Sequence, residues 1–213
     1  AGNTAASDGG GIYALGNATL NDTLVANNTA TGGDGGGLWA AAAATLTNKS
    51  RVLDNAAGDD GGGIFASANV AVTGSTVSGH TAVSDGGGIF TNDGNVNLDS
   101  STVGGSAAAS RNRATNGDGG GIFARVITAQ NSTISGNEAG DDGGGLRSRT
   151  TATIRNSTVS GNKANDDGGG IYGFNVTAQN TTIASNRANA SGAGGGIGGG
   201  VDATNRLTMR NSI

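Results

Sequence analysis

The sequence predicts an all-β protein. The expected fold is a right-handed single-stranded parallel β-helix, a solenoid of about eight coils of 24–26 residues with three short strands in each. Three observations carry that expectation. The phrase Asp-Gly-Gly-Gly followed by Ile or Leu begins at Asp8, Asp34, Asp60, Asp85, Asp118, Asp142 and Asp167, and a degraded eighth copy reads Ala193-Gly194-Gly195-Gly196-Ile197. The intervals between copies are 26, 26, 25, 33, 24, 25 and 26 residues, and a period that steady over a whole chain marks stacked structural units. Each unit holds three β-prone segments bounded by Gly, Asn or Asp turns, and no segment has a helical period.

The glycines come first because their number would otherwise suggest disorder or collagen. The 213 residues include 43 Gly and no Pro, but 24 of the Gly fall in the triplets of these eight copies. They are therefore positional, placed where the backbone turns or is closely approached. With no Cys, disulfide and thiol chemistry are excluded. No run of 18 apolar residues is present to cross a membrane as a helix, and no signal peptide is visible. The net charge is −4, with two basic and nine acidic side chains in 1–106 against ten and seven in 107–213. Neither half is basic enough for a nucleic-acid binder.

Within a coil, the residue after the triplet forms an aliphatic ladder: Ile12, Leu38, Ile64, Ile89, Ile122, Leu146, Ile171 and Ile197. Small residues follow two positions later, from Ala14 to Gly199, which suits a narrow interior. The second segment supplies Leu20, Val72, Leu98 and Ile154, with Ala129 and Ala178 as smaller partners. The third supplies Val25, Val52, Val77, Val103, Ile134, Val159 and Ile183. Three residues beyond the third ladder stand Asn28, Asn55, His80, Ser106, Asn137, Asn162 and Asn186, read as a structural corner ladder in which the lone His replaces an Asn. At about 4.8 Å per rung, eight coils make a rod of roughly 38 Å.

Two steps of this pattern, Gly143-Gly-Gly-Leu146 with Val159-Ser-Gly-Asn162 and Gly119-Gly-Gly-Ile122 with Ile134-Ser-Gly-Asn137, resemble the polymorphic membrane protein repeat of bacterial surface autotransporters. The resemblance covers all eight coils and departs in using Val or Ile where that family prefers Phe, and Gly where it prefers Ala. It implies a right-handed parallel β-helix of the pectate-lyase-like superfold, displayed outside the cell and acting in adhesion.

Four features are candidate sites. Immediately after the aliphatic ladder come Tyr13, Trp39, Phe65, Phe90, Phe123, Arg147 and Tyr172, with Arg125 and Arg149 on the same side. Alternation points them outward, giving an exposed aromatic and Arg stripe that either binds a protein, glycan or neighbouring rod, or simply stacks rung upon rung. The carboxylates of Asp34, Asp60, Asp85, Asp118, Asp142 and Asp167 also stack, and like charges at that spacing repel by roughly 1 kcal/mol even in water. Asx-turns onto the following Gly amides, or bound Ca2+, would offset this. The 33-residue interval places a loop insertion near 104–117, where Arg111 and Arg113 would join Arg125, Arg147 and Arg149 in a basic patch. Finally, Asn-x-Ser/Thr sequons occur at Asn17, Asn21, Asn27, Asn48, Asn131, Asn156, Asn175, Asn180 and Asn189.

β-Helix enzymes acting on polysaccharides gather acids and bases once, in a cleft of long loops. Here the acids recur in every coil and no nucleophile–base pair or metal-ligand motif appears, so no catalytic activity is expected. Residues 1–5 resemble 135–139, and 210–213 resemble 131–134, so the two ends together would nearly complete another coil. The sequence thus predicts one uncapped solenoid over 1–213, either a segment of a longer repeat protein or a rod that stacks head to tail. The expected function is an extracellular structural or adhesive one. Its partners would be other copies or neighbouring segments, or a host-surface protein or glycan. The alternative is a β-helix that binds or degrades polysaccharide.

Overall fold

The computed structural model describes residues 1–189 and 196–213. It is a parallel β-solenoid with three sheets running along its axis, and every strand pair is parallel. Sheet A stacks seven two-residue strands, from Thr4–Ala5 to Lys163–Ala164. Sheet C stacks seven three-residue strands, from Leu24–Ala26 to Thr182–Ala184. Sheet B has 12 strands. Its early coils are in two pieces, such as Ile12–Ala14 and Ala18–Asn21, whereas Ile122–Gln130, Leu146–Arg155, Ile171–Gln179 and Val201–Arg210 run straight through. The first two segments expected in each coil are therefore halves of one sheet. The third sheet arises from short Thr-Ala-type strands behind the Asn corner.

Each coil turns three corners, and each corner uses a residue in the left-handed region. One precedes sheet C (Asn131, φ 51°; Asn156, φ 48°), one precedes the Asn ladder (Gly136, φ 66°; Gly161, φ 65°), and one is the first Gly of the triplet (Gly119, φ 64°; Gly143, φ 66°). A Cβ on Gly143 would also stand 2.6 Å from the carbonyl oxygen of Leu146 and 2.9 Å from the Cβ of Arg147. Only Gly meets both demands. The other two Gly of the triplet pair directly with the next coil, Gly10 to Gly35 and Gly11 to Gly36, and a Cβ on Gly10 would lie 2.5 Å from the oxygen of Gly36.

The expected aliphatic ladder is in register and fully buried from Leu38 to Ile171, each side chain contributing about 1.5–3 kcal/mol. The second half of sheet B carries two inward columns whose sizes compensate. Ala44 pairs with Leu46 within its strand, Ile127 with Ala129, Ala152 with Ile154, and Val176 with Ala178. A constant cross-section is thereby filled by alternating shapes. The inward position of sheet A is Ala in every coil from Ala30 to Ala164, and each of these side chains is buried.

Two registers differ from the sequence reading. Of the expected eighth copy, Ala193 to Ile197, the stretch Ala193 to Gly195 lies outside the described residues. Ile197 stands at the Asp position and not in the aliphatic ladder, its carbonyl accepting from Gly168 and its N–H donating to Asp167 Oδ1. The carbonyls of Gly198, Gly199 and Gly200 accept from Gly169, Gly170 and Ile171, and Val201, not Ile197, pairs with Ile171. Two Gly triplets stand in tandem here, and the second leads directly into a ten-residue strand. The Asn ladder likewise passes through Asn112, not Ser106. The insertion forms a short 3-10 turn at Ala108–Ser110, and Asn112 re-enters the column between His80 and Asn137.

Candidate functional site

The outward stripe forms, but much of it is not exposed. Tyr13 and Trp39 stack at 4.5 Å and 5°, and the series continues Trp39–Phe65 at 6.0 Å, Phe65–Phe90 at 5.4 Å and Phe90–Phe123 at 5.1 Å. The guanidinium of Arg147 then bridges Phe123 and Tyr172, at 5.6 and 4.9 Å from their ring centroids. Because each ring is covered by those above and below, Phe90 and Phe123 keep only 6% and 8% of their surface, whereas Tyr13 keeps 54%. Trp39, Phe65 and Tyr172 are half-buried. The expectation of one fully exposed ladder is corrected accordingly: the open part is Tyr13, with Leu15 beside it.

The expected basic patch does not assemble. Arg147 is paired with Asp118. Arg125 donates to the Asp93 carbonyl at 2.9 Å and the Asn95 side chain at 2.8 Å, and Arg149 reaches down two coils to Asn92 at 2.7 Å and Asp93 at 3.5 Å. These arginines brace the bend at 92–95 against the straight strands above it. The insertion lies at the far corner, between sheets C and A, where Arg111 and Arg113 hold Glu138 at 2.7 and 3.5 Å.

The Asp ladder forms with a different bonding pattern from the expected Asx-turn. The Gly amides donate to carbonyls of the next coil, Gly9 to Asp34 O and Gly35 to Asp60 O. Each carboxylate Oδ1 instead accepts the backbone N–H of the next Asp: Asp34 on Asp8 at 2.9 Å, Asp60 on Asp34 at 3.0 Å, Asp85 on Asp60 at 2.9 Å, and so through Asp118 and Asp142 to Asp167. Burial pushes the carboxyl of Asp60 up to about 7 and that of Asp142 up to about 6; those of Asp34, Asp85 and Asp118 rise for the same reason, and neighbouring carboxylates add to each shift. Oxygens of Asp34, Asp59 and Asp60 gather within 4.8 Å, as do those of Asp118, Asp141 and Asp142. Either triad suits a shared proton or a hard cation.

Two buried polar ladders close the other corners. In the Asn column, Asn28 N–H and Nδ2 both donate to Asn55 Oδ1 at 2.9 Å, and Asn137 does the same to Asn162 at 2.9 and 3.0 Å. His80 fits by chemical mimicry: Nδ1 accepts from Asn55 N–H at 3.0 Å, and Nε2 meets Val52 O at 2.9 Å. That pairing requires the neutral tautomer protonated on Nε2, and complete burial lowers its pKa to about 4.

The second ladder, Ser75, Ser101, Ser132, Ser157 and Thr181, escaped the sequence reading. The hydroxyls of Ser101, Ser132 and Ser157 each accept an N–H from the coil before, and Thr181 N–H donates in the same way to Ser212. Every hydroxyl of the ladder donates to a carbonyl two residues back, as Ser132 does to Gln130 O at 2.7 Å. Its sequence signal is a left-handed Gly, Ser or Asn (Gly74, Ser100, Asn131, Asn156, Asn180) before a Ser or Thr, and a further Thr after it. That same triplet generates the sequons at Asn131, Asn156 and Asn180, whose middle residues Ser132, Ser157 and Thr181 are buried.

A family model for the Chlamydia polymorphic membrane protein repeat matches residues 156–173. The matched stretch contains all three corners in turn: Asn156-Ser157, Gly161-Asn162 and Gly168-Gly169-Gly170. The chain is a parallel β-solenoid, and the coil step at 156–173 is similar to the polymorphic membrane protein repeat. No curated protein and no solved structure matches it. Among the described residues no helix is long and apolar enough to cross a membrane.

Proposed function

We propose that this solenoid is a non-enzymatic structural and adhesive segment displayed on the outside of a bacterial-type cell. The observation that carries the reading is that chemistry recurs with the coil. The conspicuous side chains (Asp, Asn, Ser, aromatic) are each a column bonded to its own copies one rung away. A catalytic centre is a single cluster of unlike groups, whereas a column of like groups builds length and a repetitive surface. The family match supports surface display. The open end of the aromatic stripe, Tyr13 with Leu15, supports contact with a protein or glycan surface. Every rung offers the same parallel hydrogen bonds to the next, which supports axial stacking against neighbouring coils or further copies.

Attachment of chain-coated beads to cultured epithelial cells tests the reading, with beads carrying Tyr13→Ser plus Leu15→Ser as the comparison. Attachment reduced several-fold by the double substitution is expected, and equal attachment would overturn the contact face. Incubation with polygalacturonate should release no unsaturated or reducing ends; release of either would restore the polysaccharide-degrading alternative.

A further inference from the structure

The corner between sheets C and A changes character at the insertion. A groove of about 430 Å3 opens there, floored by Ser135 and Ser160, walled by Ser106 and Arg111 of the insertion, and rimmed by Lys163 and Ser185. Ser135 and Ser160 are direct rung neighbours, so the floor runs along the solenoid axis. Their hydroxyls, unlike those of the inner serines Ser132 and Ser157, bond no other residue among the described ones. On the adjoining outer face of sheet A, Arg113, Glu138, Lys163 and Arg187 form one column, each beside the next. Glu138 is held by Arg111 and Arg113. Among the described residues, Lys163 and Arg187 have no carboxylate partner. Four cations against one anion leave this corner with a net charge of +3, in a protein whose total is −4.

We propose that this groove binds an acidic polysaccharide lying along the axis. Lys163 and Arg187 stand one rung apart, at about 4.8 Å, and Arg113 stands two rungs before Lys163 across Glu138, so positive charge is spread along a line instead of converging on one point. The Gly136 and Gly161 amides are already bonded to Ser160 O and Ala184 O, so no backbone nest awaits a small anion. Recognition rests on cationic side chains for carboxylate or sulfate, and on free hydroxyls for sugar hydroxyls. No aromatic ring lines the groove, so the charge on the sugar is required. The site is distinct from the aromatic stripe on sheet B.

Calorimetric titration of the intact chain with heparin oligosaccharides, oligogalacturonate and neutral dextran tests the assignment. Binding of at least one acidic probe and none of dextran is expected, and which acidic probe binds distinguishes sulfate from carboxylate. Affinity should fall as NaCl is raised from ~50 to ~200 mM. Lys163→Gln with Arg187→Gln should weaken binding about tenfold, and Ser160→Glu, which places an anion on the floor, should abolish it. Both variants should keep the thermal midpoint of the parent. Arg206→Gln with Arg210→Gln, on the other sheet, removes the same charge and should leave affinity unchanged. Absence of binding to both acidic probes, equal binding of dextran, or equal losses from the two charge-removing pairs would overturn the proposal.

Discussion

Two polar columns climb this solenoid at different corners, and they solve the same problem with unequal success. The Asn column is buried and neutral. An amide has a donor and an acceptor, so each copy satisfies its neighbour and the pattern can repeat without limit. The Asp column is half-buried, and an ionised carboxylate only accepts. Its Oδ1 finds a backbone N–H in the next coil, and among the described residues the one cation paired with the column is Arg147, beside Asp118. Burial, with the neighbouring carboxylates adding to it, raises the carboxyls of Asp60 to about 7 and of Asp142 to about 6. Stacking therefore favours amides by composition, and acids persist in such a column only with a proton, a cation or a guanidinium.

Exchanging the two chemistries should break this comparison most severely. Asn137 is fully buried; its Nδ2 donates to Val103 O at 3.2 Å and Asn162 Oδ1 at 3.0 Å. Asn137→Asp would set a carboxylate against both acceptors and is expected to cost about 3 kcal/mol or more at pH 7. Denaturant titration should show part of that loss recovered at pH 5, where protonation returns one donor. A variant as stable as the parent at pH 7 would mean that the amide column is dispensable.

The converse substitution, Asp60→Asn, should stabilise. The amide Oδ1 still accepts from Asp85 N–H, and a charge next to Asp34, Asp59 and Asp85 disappears. Partial exposure limits the gain, and a rise in Tm of about 2–4 °C at pH 8 is expected. The sign of the pH dependence follows from linkage. The folded carboxyl sits at about 7 against 3.8 when unfolded, so the native state binds more protons between those values. The stability contributed is full below pH 4 and is lost as pH rises through 7. The Tm of the parent should therefore fall between pH 6 and 8, and Asp60→Asn should flatten that slope. A parent Tm that climbs over this range would contradict the assignment.

Much of the solenoid is legible in the sequence because its signals are strictly periodic. The aliphatic ladder, the Asn column and the insertion announce themselves by offset alone. The eighth register is misread because two Gly triplets stand in tandem, and only the pairing of Val201 with Ile171 chooses between them. The Ser ladder is hidden because Ser before Thr looks like an ordinary surface turn; the side chain turns inward only because its predecessor is left-handed. Burial of Phe90 and Phe123 has no local signal, since what covers them comes from residues a full coil away. The fates of Arg125 and Arg149 are equally nonlocal, depending on the bend of an earlier coil.

The smallest expected effect tests whether the amide column tolerates a neutral mimic for the reason given. At pH 7, His80→Asn should change stability by less than about 0.5 kcal/mol, because an Asn Oδ1 replaces Nδ1 for Asn55 N–H and Nδ2 replaces Nε2 for Val52 O. The difference should lie in acid. The folded imidazole titrates near 4 against 6.5 in the unfolded chain, so the unfolded state binds the extra proton. That contribution is present above pH 6.5 and is lost as pH falls towards 4, opposing the gain from the Asp column over the same window. His80→Asn removes the opposing half. The variant should be more stable than the parent at pH 5 and indistinguishable from it at pH 8, so that its Tm rises more steeply on acidification. Parallel pH profiles for the two proteins would show that His80 is not held neutral in the column.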